Sequence, residues 1–116
     1  MIEEWINQMK QGLDPGELGM ILVHNGIVRA TSKKGEPVQG MRLSYDEEKL
    51  ERVISEHREK DGIAGIRVWI NRGELKVGDD IMVVLVAGRF RTDVLPAFES
   101  LVRRIKSEVV AEQERV

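Results

Sequence analysis

The apolar run from Ile81 to Ala87 is the feature that most constrains the fold of this chain. From Ile81 to Val86 the side chains are apolar and mostly β-branched, with no polar residue alternating among them. A run of this kind predicts a strand that is buried on both faces. We therefore expect it to be the most buried strand of a sheet. The run is far shorter than the roughly 20 residues that span a bilayer, so we expect no membrane as partner.

Composition supports one small globular domain over residues 1–116. The chain has 41% hydrophobic residues and no cysteine, which excludes disulfides, thiolate metal sites and a cysteine nucleophile. Its 18 basic and 20 acidic side chains give a net charge of -2, without the basic excess usual in nucleic-acid binders. The acidic N-terminus does not resemble a signal peptide. We therefore expect a cytoplasmic protein and no nucleic acid as partner.

Three segments have the apolar periodicity of helices. The first covers residues 2–12. The second opens after Ser44, which with Glu47 has capping-box spacing, and it has His57 on its apolar face. The third begins near Thr92 or Asp93 and runs to about Val109. We expect the polar residues 111–115 to fray.

Strands are predicted between these helices. Apolar or alternating segments lie at 20–23, 38–43, 66–70 and 75–77, before the buried run at 81. Short turns between the later strands favour antiparallel pairing. The fold class is therefore α+β, a mostly antiparallel sheet with flanking helices.

The common catalytic signatures are absent. His24 and His57 are far apart and lie in different elements, so no metal site is expected. The chain contains no phosphate-binding P-loop, no dinucleotide fingerprint and no GxSxG nucleophile elbow. No cofactor is expected.

Cations near element ends are the more informative feature. Arg29 follows a strand, Arg89 and Arg91 precede the last helix, and Lys106 borders the apolar stripe of that helix. Such groups can bind phosphate or carboxylate, and a partly desolvated lysine beside arginines can act as a nucleophile. The alternative is that Lys106 is a solvated cation near a helix C-terminus.

Three ordered segments resemble a known family. They are Gly26-Ile27-Val28-Arg29, then Gly73-Glu74-Leu75-Lys76-Val77-Gly78-Asp79, then Arg91 followed by Ala97 and Lys106. Together they resemble the catalytic large subunit of molybdopterin synthase, of which the chain would be a divergent member. The resemblance covers roughly residues 18–115.

The resemblance implies an α/β-hammerhead fold and sulfur transfer in molybdenum cofactor biosynthesis. In that family a ubiquitin-like small subunit inserts its Gly-Gly C-terminus, carried as a thiocarboxylate, into a pocket of the large subunit. Two sulfurs are delivered to cyclic pyranopterin monophosphate. The large subunits form a homodimer within a heterotetramer.

The resemblance also assigns Lys106 as the catalytic residue and places anionic substrate near Arg29 and Arg91. The expected substrate-binding residues are Ile27, Val28, Arg29, Phe90, Arg91, Lys106, Gln113 and Arg115. Phe90 stands where the family has a histidine, Gln113 where it has a second lysine, and Glu112 where it has a tryptophan. Lys33, Lys34 or Arg115 could replace that lysine.

Two other hypotheses remain open. A family-derived dimer could bind a ubiquitin-like tail or an anionic ligand without turnover, which Phe90 and Gln113 favour. A nucleic-acid protein using Arg103, Arg104 and Lys106 would show steep salt dependence of binding.

Overall fold

Three α-helices and six strands make up the chain, in the α+β class that the sequence predicts. The structure is a computed structural model that describes all residues 1–116. In chain order the elements are α1 (Ile2–Gly12), β1 (Met20–Ile27), β2 (Gly40–Tyr45), α2 (Glu47–Arg58), β3 (Ile63–Ile70), β4 (Gly73–Lys76), β5 (Asp80–Gly88), α3 (Arg91–Arg104), a π-helical turn (Ile105–Val109) and β6 (Val110–Arg115). No helix is long and apolar enough to cross a lipid bilayer.

The strand β5 is the centre of the first sheet, as its apolar sequence predicts. It pairs antiparallel with β1 on one side and with β3 on the other. Val84 and Val86 belong to the main core, which includes buried residues of α2 and α3, whereas Val83 and Leu85 belong to a smaller cluster with Met9 of α1. Both faces are covered, so every residue from 81 to 88 is buried.

The later strands do not form one continuous antiparallel series. Although β3 pairs with β5, β4 leaves that sheet and pairs with β2 instead. The backbone N–H of Asn71 donates to Ile81 O at 3.0 Å, which closes the segment between them into a loop. This loop leaves the first sheet, contains β4 and is here called the β4 excursion. Gly73 and Gly78 have φ of 120° and 92°, values that favour glycine, so the excursion turns at both ends.

The polar tail is a strand, and the prediction that it frays is wrong. Residues 110–115 pair antiparallel with β2, which gives a second sheet of order β4-β2-β6. Backbone pairing holds β6 although five of its six residues are exposed. Alternating apolar side chains are the usual signal for a strand, and this tail has none beyond Val110.

One detail of α2 also differs from the prediction. The cap of α2 is Asp46, whose Oδ1 accepts the N–H of Lys49 at 3.1 Å, and not Ser44. His57 is fully buried between α2 and α3, with Nδ1 2.7 Å from Val53 O and Nε2 2.8 Å from Ser100 Oγ. A carbonyl only accepts, so Nδ1 donates to Val53 and Nε2 accepts the Ser100 hydroxyl.

Candidate functional site

An open pocket of about 480 Å³ lies where the two sheets meet. Strand β1, the loop after it, β2, β5, the π-helical turn and β6 all contribute to its wall. Its lining residues are Ile27, Arg29, Thr31, Ser32, Lys33, Lys34, Glu36, Met41, Ile81, Lys106, Glu112 and Glu114. Four of these are basic and three acidic, so the pocket is an ionic site and not an apolar one.

Arg29 is positioned by the backbone of the residue before it. Val28 is 2% exposed, donates its N–H to Asp79 O at 2.9 Å and accepts the N–H of Gly78 at 2.9 Å. The turn at the end of the β4 excursion therefore fixes the chain at Val28. Arg29 Nη2 donates to Thr31 Oγ1 at 3.2 Å, which directs the guanidinium towards the loop on the pocket wall.

Lys106 reaches the pocket from the π-helical turn that follows α3. Its ammonium forms an ion pair with the carboxylate of Glu112, and the two side chains are 41% and 24% exposed. Lys106 is thus neutralised by an acid, whereas the sequence suggests a partly desolvated lysine beside arginines. One arginine, Arg29, does line the same pocket. A π-helical turn at a functional residue is a recurrent feature of proteins.

The register of β6 decides which tail residues face the pocket. Glu114 lies opposite Met41, and Glu112 lies opposite Leu43, so both acids share the inner face of the second sheet. Gln113 and Arg115 therefore point to the outer face. There Arg115 Nε lies 3.9 Å from Glu74 Oε2. The structure does not bring Gln113 or Arg115 to the pocket.

Phe90 and Arg91 lie at the other end of the first sheet, away from the pocket. Gly88 pairs with Met20, whereas Ile27, on the pocket wall, pairs with Asp80. The nine residues of β5 rise about 3.3 Å each, so its two ends are about 26 Å apart. This is farther than an arginine side chain extends. Within one chain, the pocket thus gathers Ile27, Arg29 and Lys106 of the expected residues, with Val28 buried behind them.

His24 lies within β1, opposite Val84, and not at a strand end. Burial lowers the pKa of His24 from its ordinary value of 6.5, and the positive charge of Lys106 lowers it further. An uncharged imidazole is therefore the favoured state near Lys106 at neutral pH. Nowhere do three or more His, Asp or Glu side chains form a group that could hold a metal ion.

Of the three acids of the pocket, the sequence does not indicate Glu36 or Glu114, and it indicates Glu112 only as a departure from the family. A signal existed for the two on β6. Val110, Glu112 and Glu114 alternate with Ala111, Gln113 and Arg115, so an inward Val110 implies inward glutamates if the tail is a strand. A tail that is expected to fray has no inner face, so the alternation has no meaning until the strand is known.

A comparison with protein families identifies the class to which this fold and pocket belong. The sequence model described as "MoaE protein" matches residues 2–108. The match covers most of the chain, so the chain belongs to the MoaE protein family, which confirms the resemblance to molybdopterin synthase large subunits. This relation supports a role in molybdenum cofactor biosynthesis.

Individual relatives agree with this family. An uncharacterized protein of Methanocaldococcus jannaschii is 33% identical over 110 residues, which are 90% of this chain and 92% of that protein. The molybdopterin synthase structure from Staphylococcus aureus is similar with a TM-score of 0.75 and 23% identity, over 94% of this chain and 82% of that one. A chain in the complex of subunits 1 and 2 of molybdopterin-converting factor from Helicobacter pylori gives a TM-score of 0.74 and 16% identity, over 97% of this chain and 74% of that one. The shared fold is thus the one that the resemblance implies.

Proposed function

We propose that residues 1–116 form the catalytic large-subunit domain of a cytoplasmic molybdopterin synthase. The reaction moves sulfur from the thiocarboxylated Gly-Gly C-terminus of a ubiquitin-like small subunit to cyclic pyranopterin monophosphate. The observation that carries the proposal is that Arg29 and Lys106, which come from distant family motifs, line one pocket. The chain has no cysteine, which is compatible with a reaction whose sulfur arrives on a partner.

The two cations suit two separate tasks. Arg29 presents a planar guanidinium that can bind a phosphate in a bidentate manner. Lys106 is a compact ammonium on a flexible stem, able to approach the carbonyl end of an incoming tail once Glu112 releases it. The volume of about 480 Å³ is within the usual range of small-molecule sites.

The homodimer belongs to the same proposal. Arg91 lies about 26 Å from the pocket of its own chain, by the length of β5. It can contribute to substrate binding only from a second copy. Phe90 and Leu95 beside it are 59% and 41% exposed, and Ile27 at the pocket is 52% exposed. A twofold axis that places the Arg91 end of one copy against the Ile27 end of the other completes both sites at once.

The second candidate function is binding without turnover. It is favoured by Lys106 being paired with Glu112 and by the absence of a histidine at Phe90. In this case the pocket would still hold the small subunit's tail or an anionic ligand, but no sulfur would be transferred.

One reconstitution separates the two functions. The chain is incubated with a thiocarboxylated small subunit and cyclic pyranopterin monophosphate, and both molybdopterin formation and co-purification of the small subunit are measured. Molybdopterin formation supports the synthase. Co-purification without any product contradicts it and supports the binding module. The absence of both excludes the synthase and excludes binding of the small subunit's tail.

A further inference from the structure

The cations of the pocket differ in whether a carboxylate already neutralises them. Lys106 is paired with Glu112, whereas Arg29, Lys33 and Lys34 take part in none of the seven ion pairs of the molecule. All four line the same pocket. The positive charge that no carboxylate neutralises therefore lies mainly on one wall of the pocket, formed by Arg29 and by residues 31–37. Residues 31–37 are here called the basic loop.

The basic loop has a defined conformation. Ser32 Oγ accepts the N–H groups of Lys34 and Glu36 at 3.3 and 3.2 Å, and Ser32 N–H donates to Glu36 O at 2.8 Å. Gly35 has φ of 85° and donates its N–H to Ser32 O at 2.9 Å. A bridge between Thr31 and Pro37 closes the base. The loop backbone therefore holds Lys33 and Lys34 at the pocket before any ligand binds.

Arg29 is joined to this loop by its hydrogen bond to Thr31 Oγ1 at 3.2 Å. One planar guanidinium and two ammonium groups therefore line one side of the cavity, together with the carboxylate of Glu36. The lining residues include no aromatic side chain, so this wall offers charge and hydrogen bonds and no surface for ring stacking. That chemistry suits a phosphate group, which accepts several charge-assisted hydrogen bonds.

We propose that Lys33 and Lys34 bind the phosphate of the substrate together with Arg29. The inference rests on the proposed function, because it takes a phosphorylated pterin as the ligand. The basic loop then supplies the cation that the resemblance places at Gln113, a residue on the outer face of its sheet. Lys106 is left for the transfer step, and the phosphate end of the ligand points towards the loop.

The test measures binding of a pterin monophosphate and of the same pterin without phosphate. The variant is the double substitution Lys33→Gln and Lys34→Gln, and the matched control is Lys10→Gln with Lys60→Gln, two exposed lysines outside the pocket. Because each exposed charged contact contributes about 1 kcal/mol or less, we expect the loop variant to bind the phosphorylated probe about tenfold more weakly. The control double variant and the unphosphorylated probe should show no change.

Equal affinity of the wild type and the loop variant for the phosphorylated probe would overturn the proposal. An equal loss for both probes, or an equal loss in the control variant, would do the same. Unchanged thermal unfolding of the loop variant verifies that the fold is intact.

Kinetics distinguish this inference from the proposed function. In the reconstituted reaction, the loop variant should raise KM for the pterin phosphate and leave kcat within about twofold. If the wild type makes molybdopterin and the loop variant has an unchanged KM, the inference fails and the synthase stands. If the wild type makes none but the loop variant loses phosphate-dependent binding, the synthase fails and the phosphate site stands.

Discussion

At the scale of single residues, the pocket contains both basic and acidic side chains, and an anionic ligand competes with the acids for the basic ones. Glu112 contacts Lys106 while Arg29 has no carboxylate partner. An anion entering the pocket competes with Glu112 for Lys106, so this glutamate weakens anion binding. The position is notable because the resemblance places a tryptophan there, which would leave the lysine without an acidic neighbour.

The substitution Glu112→Gln tests this competition. Removing the negative charge should strengthen binding of inorganic phosphate by about two- to five-fold, the range for a partly exposed ion pair of about 0.5–1 kcal/mol. The affinity is measured by calorimetric titration at low ionic strength. Glu99→Gln on the exposed side of α3 is the control and should change nothing. An unchanged or weaker affinity in Glu112→Gln would show that the ion pair does not limit anion binding.

At the scale of elements, His57 connects the two helices that pack on the first sheet. Its Nδ1 bonds within α2, and its Nε2 accepts from Ser100 of α3. Burial lowers the pKa of His57 from 6.5, against the opposing effect of the Val53 carbonyl; Lys60 and Arg104 lower it further, and Glu56 opposes them. The neutral imidazole is therefore part of the folded structure.

This histidine makes stability depend on pH. Because the folded pKa is lower than the unfolded one, the unfolded chain binds more protons below about pH 6.5. The stabilisation that neutral His57 contributes to the folded state is complete above that pH and is lost as the pH falls below it. We expect His57→Gln to reduce the free energy of unfolding by about 1–3 kcal/mol at neutral pH. It should also flatten the decrease between about pH 7.5 and 5.5.

Urea denaturation at the two pH values measures both effects. His24 is present in both proteins, so its own lowered pKa does not affect the comparison. Parallel losses in the wild type and in His57→Gln would mean that His57 is not responsible for the pH dependence.

The end of β5 approaches the turn before β3 too closely for a side chain. A Cβ on Gly88 would lie 2.3 Å from Gly62 O and 2.6 Å from Val94 Cγ2. Gly88→Ala should therefore lower the free energy of unfolding by about 1–3 kcal/mol. Gly12→Ala, where nothing lies within 4 Å, should be neutral or stabilise by up to about 1 kcal/mol. Thermal unfolding compares the two, and equal melting temperatures would contradict the packing argument.

Patterns along the chain predicted these elements better than they predicted their partners. The apolar stretch of β5 and the stripe of α1 are local signals, and both elements form where expected. The pairing of β4 with β2, and of β6 with β2, depends on contacts between distant segments. The polar side chains of β6 do not have the apolar alternation from which a paired strand is usually predicted.

In the candidate site, too, local motifs are predictable from the sequence and contacts between distant segments are not. Arg29 and Lys106 were identified through short motifs, and the pocket brings them together. Glu112 and Glu114 face the pocket only because of the register of β6 against β2. A shift of one residue would have brought Gln113 and Arg115 inward. Val110 indicates which face is inward only if the tail is recognised as a strand, and that depends on its pairing with β2.

At the scale of the whole molecule, the chain is elongated, with principal extents of 48 × 25 × 23 Å. The pocket lies at one end of the first sheet, and Arg91 lies at the other. If both contribute to one reaction, the active unit contains two chains, and each site takes residues from both.

Mixed dimers test this arrangement. Lys106→Ala and Arg91→Ala are each expected to be inactive alone. When the two variants are co-expressed, random pairing makes about half of the dimers heterodimers, and each heterodimer keeps one of its two sites complete. We therefore expect about a quarter of the wild-type sites to be restored. Activity of the co-expressed mixture is measured against the separately purified variants. A mixture no more active than its components would contradict sites shared between copies, as would a monomer by light scattering.

We propose that sulfur transfer takes place in the pocket at Lys106. The initial rate of molybdopterin formation by Lys106→Ala tests this directly, with Arg103→Ala at the end of α3 as the control outside the pocket. We expect Lys106→Ala to lose at least about 100-fold in rate while binding the small subunit and unfolding as the wild type does. Arg103→Ala should stay within about twofold of the wild type. A rate for Lys106→Ala equal to that of the wild type would contradict the claim.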